Sequence, residues 1–154
     1  MKIRRQQLIL EQVDKKITHF TSLKQINVPE NGWINATRKA LNISLKQLGR
    51  KMDMTPQAVR ALEKREKAGT ISLRSLREAA LAMEMKFVYG PAPNDGSLEK
   101  LLDRKAGEMA KIIVNRTSQS MLLEDQENSK ERILKAYEKK KNELKNDIPK
   151  FLWD

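Results

Sequence analysis

The sequence predicts an all-α fold, and three features carry that prediction. Aromatic residues make up 5% of the chain and charged residues 33%, so a core must be assembled mainly from Leu, Ile, Val, Ala and Met, which suits helices packed on helices. Apolar residues recur at helical spacing along most of the chain. Hydroxyl residues stand just before several of these stretches, where they can accept from the orphan N–H groups of a first helical turn. A chain of 154 residues has room for one domain, or for one small domain with an extension.

The first helix is expected from Lys2 to about Phe20, with Ile3, Leu8, Leu10, Val13 and Ile17 on a loose apolar stripe. It ends near His19, before the turn-rich stretch TSLKQINVPENG. Trp33 opens a second helix through about Leu41, in which Ile34, Ala40 and Leu41 are apolar. Ser44 and Gln47 form a capping-box signature that starts a short helix with Leu45, Leu48 and Met52 facing inward. In MTPQAVRALEKREK, Thr55 is placed to cap the next helix. Pro56 takes its first position, where a missing N–H costs nothing, and the helix runs to about Glu66 before Gly69 stops it.

Ser72 caps a helix over LRSLREAALAMEM that should bury Leu73, Leu76, Ala80 and Met83, and KFVYG then reads as a short strand or extended segment. Residues 90–97, GPAPNDGS, combine two prolines, two glycines and an Asn-Asp-Gly turn, which marks a domain boundary. Ser97 restarts a long helix whose stripe of Leu98, Leu102, Met109 and Ile113 continues towards Thr117, Ser120 and Glu124. A last helix, capped by Asn128 and Glu131, carries Ile133, Tyr137 and Leu144 until Pro149 breaks it. The expected organisation is a helix with linker over residues 1–30, a central domain over 31–90 and a helical extension over 97–154.

The formal net charge is +11 and is unevenly spread. Residues 1–92 hold 18 Lys/Arg against 8 Asp/Glu, whereas residues 93–154 hold 13 against 12. A localised positive field attracts polyanions, nucleic acid above all. The absence of cysteine removes disulfides, thiolate metal sites and cysteine nucleophiles. No stretch approaches the roughly 18 apolar residues that would cross a bilayer, and MKIRRQQLILEQVDKK lacks an apolar run of signal-peptide length, so a cytoplasmic protein is expected. The single histidine, His19, sits near a helix end, and no glycine-rich phosphate loop, metal-ligand cluster or nucleophile–base pair is present. The expectation is therefore a protein that is not an enzyme and uses no metal or cofactor. Trp33 and Trp153 are read as packing residues, and the glycosylation spacing in NRTS (115–118) has no meaning in the cytoplasm.

Two short helices, Ser44–Met52 and Thr55–Glu66, separated by so few residues must meet at a steep angle, the geometry of a helix-turn-helix. Val59 and Leu62 would pack back on Leu45, Leu48 and Met52, leaving Gln57, Arg60, Ala61 and Lys64 on the outer side. The stretch SLKQLGRKMDMTPQAVRALEKREKAGTISLRSLREAALAMEM resembles the phage-repressor (XRE) type of helix-turn-helix over roughly residues 33–85, with its small residue at Gly49 and its Val-x-x-Leu-Glu run from Val59 to Glu63. That resemblance implies a second helix lying in the major groove of double-stranded DNA. Gln57 would pair bidentately with adenine, Arg60 with guanine or a phosphate, and Ala61 would touch a thymine methyl. Ser44, Lys46, Thr55, Lys64 and Arg74 would bind phosphates, the two hydroxyl residues aided by helix N-termini. Leu45 stands where many relatives have a glutamine that touches the DNA backbone. One domain reads one half-site, so a homodimer on a palindromic operator follows, with KFVYG and the N-terminal helix as candidate dimer contacts.

Across the whole chain, DKKITHF, NGWINATRKALNISLKQLG, RSLREAALAMEMKFVYGPAPNDGSLEKLL and MLLEDQ resemble the family called mobile mystery protein A. Members are carried on bacterial mobile elements, usually beside a gene for a Fic-domain protein, a fold that transfers AMP from ATP. The resemblance implies a toxin–antitoxin system whose antitoxin represses its own promoter. SMLLED, residues 120–125, is similar to the motif by which such antitoxins silence Fic enzymes. Ser120 and Glu124 are four apart and share a helix face. The glutamate of that motif takes the arginine site that would otherwise hold the ATP γ-phosphate, and Asp125 stands where the motif has Gly or Asn. The other readings are a plain XRE-type transcriptional regulator whose C-terminal helices only dimerise, and an RNA-binding or other basic module.

Overall fold

A computed structural model of the chain describes residues 2–122 and 130–154, without the side chains of Ile3 and residues 118–122. Every regular element among these residues is helical. The α-helices are α1 (Lys2–Ile17), α2 (Gly32–Ala40), α3 (Leu45–Met52), α4 (Pro56–Ala68), α5 (Leu73–Ala82), α6 (Leu98–Leu122) and α7 (Lys130–Asp147). Short 3-10 turns cover Thr18–Gln25 and Lys150–Trp153. Among the described residues no helix is long and apolar enough to cross a membrane.

The local signals for helix starts act as the residues dictate. Ser44 and Gln47 close a reciprocal capping box on α3, Thr55 caps α4 with Pro56 at its head, and Ser72 caps α5 by accepting from the Ser75 N–H at 3.1 Å. Gly69 ends α4 in a left-handed conformation at φ 76°. α1 stops at Ile17 rather than near Phe20, because the Thr18 and Ser22 hydroxyls donate to the Lys15 and His19 carbonyls three residues back, which favours the tighter turn. KFVYG forms no strand. The Asn128 cap lies outside the described residues.

The chain divides into two compact units, residues 25–89 and residues 1–24 with 90–154. The N-terminal helix, set apart with its linker in the sequence reading, thus belongs with the C-terminal helices. Regrouping also moves charge. Residues 25–89 carry 12 Lys/Arg against 6 Asp/Glu, and the other unit 19 against 14, so the contrast drawn between the first and second parts of the sequence shrinks once α1 joins the tail.

In the unit of residues 25–89, Ile34, Leu48, Val59, Ala79 and Met83 form the core, with Leu45, Met52, Met54, Ile71 and Leu76 packed around it. The buried stripe of α5 therefore runs through positions 76, 79 and 83. Leu73, expected inside, is 44% exposed in the first turn, and Ala79 rather than Ala80 is the fully buried alanine.

The other unit is built on α6 and α7, which run antiparallel: Asp103 of α6 meets Lys141 at 3.1 Å and Lys145 at 3.0 Å, while Gly107 faces Tyr137. Its core joins Leu102, Ala106, Ala110, Leu144 and Leu152, with Leu10 of α1 against it. The Asp14 carboxylate of α1 accepts from the Leu98 N–H at 2.7 Å and the Glu99 N–H at 3.3 Å, satisfying donors that α6 cannot satisfy itself.

Candidate nucleic-acid interface

The pair α3 and α4 is held by one close backbone approach. Asp53 ends α3 in a left-handed conformation, φ 56° and ψ 46°. The Met54 N–H then donates back to the Gly49 carbonyl at 2.8 Å, folding the turn over α3. Gly49 is buried, and a Cβ there would sit 2.5 Å from the Met54 carbonyl oxygen. The obstacle is main chain, which cannot rotate aside as a side chain does. Gly49→Val is expected to displace the turn that fixes the heading of α4 and to cost about 1–3 kcal/mol by overpacking, measured by denaturant unfolding. A parental midpoint in that variant would contradict this account.

Thr55 continues the construction. Its hydroxyl oxygen accepts from the Ala58 N–H at 3.1 Å, as the Ser44 hydroxyl accepts from Gln47 N–H at 3.0 Å. In each case the hydroxyl proton is left free to donate outward, so a capping hydroxyl can still serve an anion at the same helix end. Val59 and Leu62 are buried on the inner side of α4. Gln57, Arg60, Ala61 and Lys64 are exposed on the other. With Leu45 and Pro56 they line an open groove of about 370 Å³, in which half-buried Leu45 supplies apolar floor and also packs on the core.

The sequence-predicted residues separate accordingly. Gln57, Arg60, Ala61 and Lys64 come together on this one surface. Ser44, Lys46 and Thr55 are exposed on or beside the starts of α3 and α4, and Arg74 is exposed in the first turn of α5. The Gln57, Arg60, Lys64, Lys46 and Arg74 side chains take no hydrogen bond or ion pair among the described residues. Glu124 lies outside the described residues, and Ser120 lies in α6 with its side chain outside them.

Further partnerships lie behind this surface. Arg38 of α2 and Glu63 of α4 form a buried ion pair, at 9% and 8% exposure. Arg38 also donates to the Ile43 carbonyl at 3.0 Å, and Asn35 donates to Glu63 at 2.7 Å. Burial pushes the Glu63 carboxyl up, but hydrogen bonds from Arg38 and Asn35, with the Arg38 charge, more than offset it and hold the group below its ordinary range. Glu66 of α4 caps α2 from outside, accepting from the Trp33 and Ile34 N–H groups at 2.8 Å each. It lies over Gly32, whose φ of +84° suits glycine and where a Cβ would meet the Glu66 carboxyl carbon at 2.7 Å.

These contacts also shape the electrostatics. Of the six carboxylates in the unit, Glu63 and Glu66 are turned inward to Arg38 and to the α2 N-terminus. The exposed cations of α3, α4 and α5 are left uncompensated by them. Trp33 and Trp153, expected as packing residues, are 43% and 51% exposed. His19 is exposed. Among the described residues no cluster of His, Asp or Glu could hold a metal ion. No protein-family model, no curated protein and no solved structure matches this chain.

Proposed function

We propose that residues 25–89 are a helix-turn-helix of the phage-repressor type that reads double-stranded DNA, with α4 as the reading helix. The observation that carries this is the groove bounded by Gln57, Arg60, Ala61 and Lys64, whose polar side chains are exposed and uncommitted on a helix anchored from behind by Val59, Leu62 and Glu63. Gln57 offers an amide that matches the N6 and N7 edge of adenine, Arg60 a fork for guanine or phosphate, and Ala61 a methyl for thymine. Ser44, Lys46, Thr55, Lys64 and Arg74 position the domain on phosphates. Two copies on an inverted repeat read the two half-sites, and the protein acts as repressor of its own promoter.

With six to eight phosphates neutralised, the logarithm of the binding constant should fall against the logarithm of salt with a slope of roughly −5 to −7. A titration by fluorescence anisotropy from low to moderate salt measures it. A slope near zero would remove the phosphate contacts from this reading.

The second role, silencing a Fic-type AMP transferase, rests on the resemblance of SMLLED to the inhibitory motif. Glu124→Ala is expected to leave the complex with a co-expressed Fic-domain partner intact and to release AMP transfer, read by labelled ATP. An inhibitory Glu124→Ala chain, or the absence of any complex, would leave a plain transcriptional regulator.

A further inference from the structure

The segment after α5, residues 85–89 (MKFVY), belongs to no helix and to no strand ladder among the described residues. The Phe87 and Tyr89 rings stack with centroids 6.1 Å apart and planes 18° from parallel, the same-side placement of alternate residues in a strand. Arg77 of α5 ties the segment down: its guanidinium lies 5.4 Å from the Tyr89 ring centroid and donates to the Tyr89 hydroxyl at 3.2 Å. Among the described residues, however, no backbone N–H or C=O of residues 86–90 takes a hydrogen bond. Val88 is 63% exposed, and Leu81 and Met85, a few residues before it in sequence, are exposed as well. Phe, Val and Tyr are residues enriched in strands, and a stretch of unpaired backbone is a template for another strand.

We propose that this stretch pairs antiparallel with the same residues of a second copy of the chain, about a two-fold axis at Val88. That register sets Val88 against Val88, Phe87 against Tyr89 on both sides of the axis, and Lys86 against Gly90. Aromatic and β-branched residues opposite one another are the stabilising cross-strand pairs, and no like charges meet. An axis at Lys86 would oppose two ammonium groups. The flanking positions in sequence carry both signs, Glu78 and Glu84 with Arg74, Arg77 and Lys86, so two identical surfaces do not meet as a single sign of charge. The inference rests on the proposed function in that a reader of an inverted repeat needs two copies, and none of the pairing residues lies on α4.

The chain has no cysteine, so Val88→Cys introduces a single thiol, and directly opposed strand residues come close enough for a disulfide. Under mild oxidation the full-length Val88→Cys chain should cross-link to a dimer, whereas Leu134→Cys, at an exposed position on α7, should not. Light scattering of the parent should give the mass of two chains, and Val88→Lys should raise the dimer dissociation constant by on the order of a hundredfold with the parental circular dichroism retained. A parent with the mass of one chain, a dimer indifferent to Val88→Lys, or equal cross-linking at Leu134→Cys overturns the pairing. Combined with Val88→Cys, the Gln57→Ala, Arg60→Ala substitutions should leave cross-linking undiminished. A chain that cross-links without binding DNA would thus sink the DNA reading alone, and one that binds DNA without cross-linking would sink the pairing alone.

Discussion

Replacing Glu63 with alanine is expected to destabilise the unit of residues 25–89 by about 3–5 kcal/mol, the usual cost of leaving one member of a buried ion pair alone. Arg38 would be left inside the fold with only the Ile43 carbonyl as partner, and Asn35 would lose its acceptor. The pair joins α2 to α4, so its loss loosens the support of α4 as well as the fold. Replacing both members together, Arg38→Met with Glu63→Leu, should recover most of the loss, because two apolar groups of similar volume need no partner. Each unit contains one tryptophan, Trp33 and Trp153, so in a Trp153→Phe background the fluorescence of urea melts reports residues 25–89 alone. Equal midpoints for parent and Glu63→Ala would refute the argument.

The same pair sets a pH dependence with a definite sign. The folded-state Glu63 carboxyl titrates below its unfolded value, so the folded state binds fewer protons there and gains stability from ionisation. That gain is fully present above the ordinary glutamate value of about 4.3 and is lost as pH falls through the lower folded value. Protonation of Glu63 removes the counter-charge that faces Arg38, as alanine does. Acid unfolding monitored through Trp33 should flatten in this window in the Arg38→Met, Glu63→Leu chain.

What could be read from sequence and what could not follow from the range of each interaction. The caps at Ser44, Thr55 and Ser72 act within a few residues, and residue type alone reveals them. The carboxylates of Asp14 and Glu66 do the same chemistry on the N-termini of α6 and α2, but across 84 and 32 residues, and nothing local marks the acceptor. An intermediate signal was present for the buried pair. Arg38 lies four residues after buried Ile34, and Glu63 four after buried Val59, so both charges sit on apolar faces and each needs an opposite partner. The exposure of Leu73 went the other way, since helical spacing admits it to the stripe and only the tertiary arrangement leaves its first turn uncovered. The grouping of α1 with α6 and α7 depends on contacts such as Leu10 with the α6 core, which no composition boundary predicts.

Replacing Gln57 and Arg60 together with alanine is expected to weaken binding to the operator by about 2–6 kcal/mol, since a good bidentate contact is worth about 1–3 kcal/mol of discrimination against the wrong base. Both side chains are exposed and without partners among the described residues, and both lie opposite the Val59 and Leu62 face. Their truncation leaves the core and the Thr55 cap intact, so the urea midpoint should stay at the parental value and the loss can be assigned to recognition. Specific and nonspecific DNA separate the roles. Under the proposed reading, affinity for unrelated duplex would depend on phosphates contacted by Lys46, Lys64, Arg74 and the two capping hydroxyls, and should change little. Lys64→Ala should weaken both duplexes alike and lower the salt slope by about 1. Equal losses on both duplexes from the Gln57→Ala, Arg60→Ala chain would mean that α4 supplies charge but reads no bases. The basic surface would then be that of a general polyanion binder, and RNA would become the partner to test.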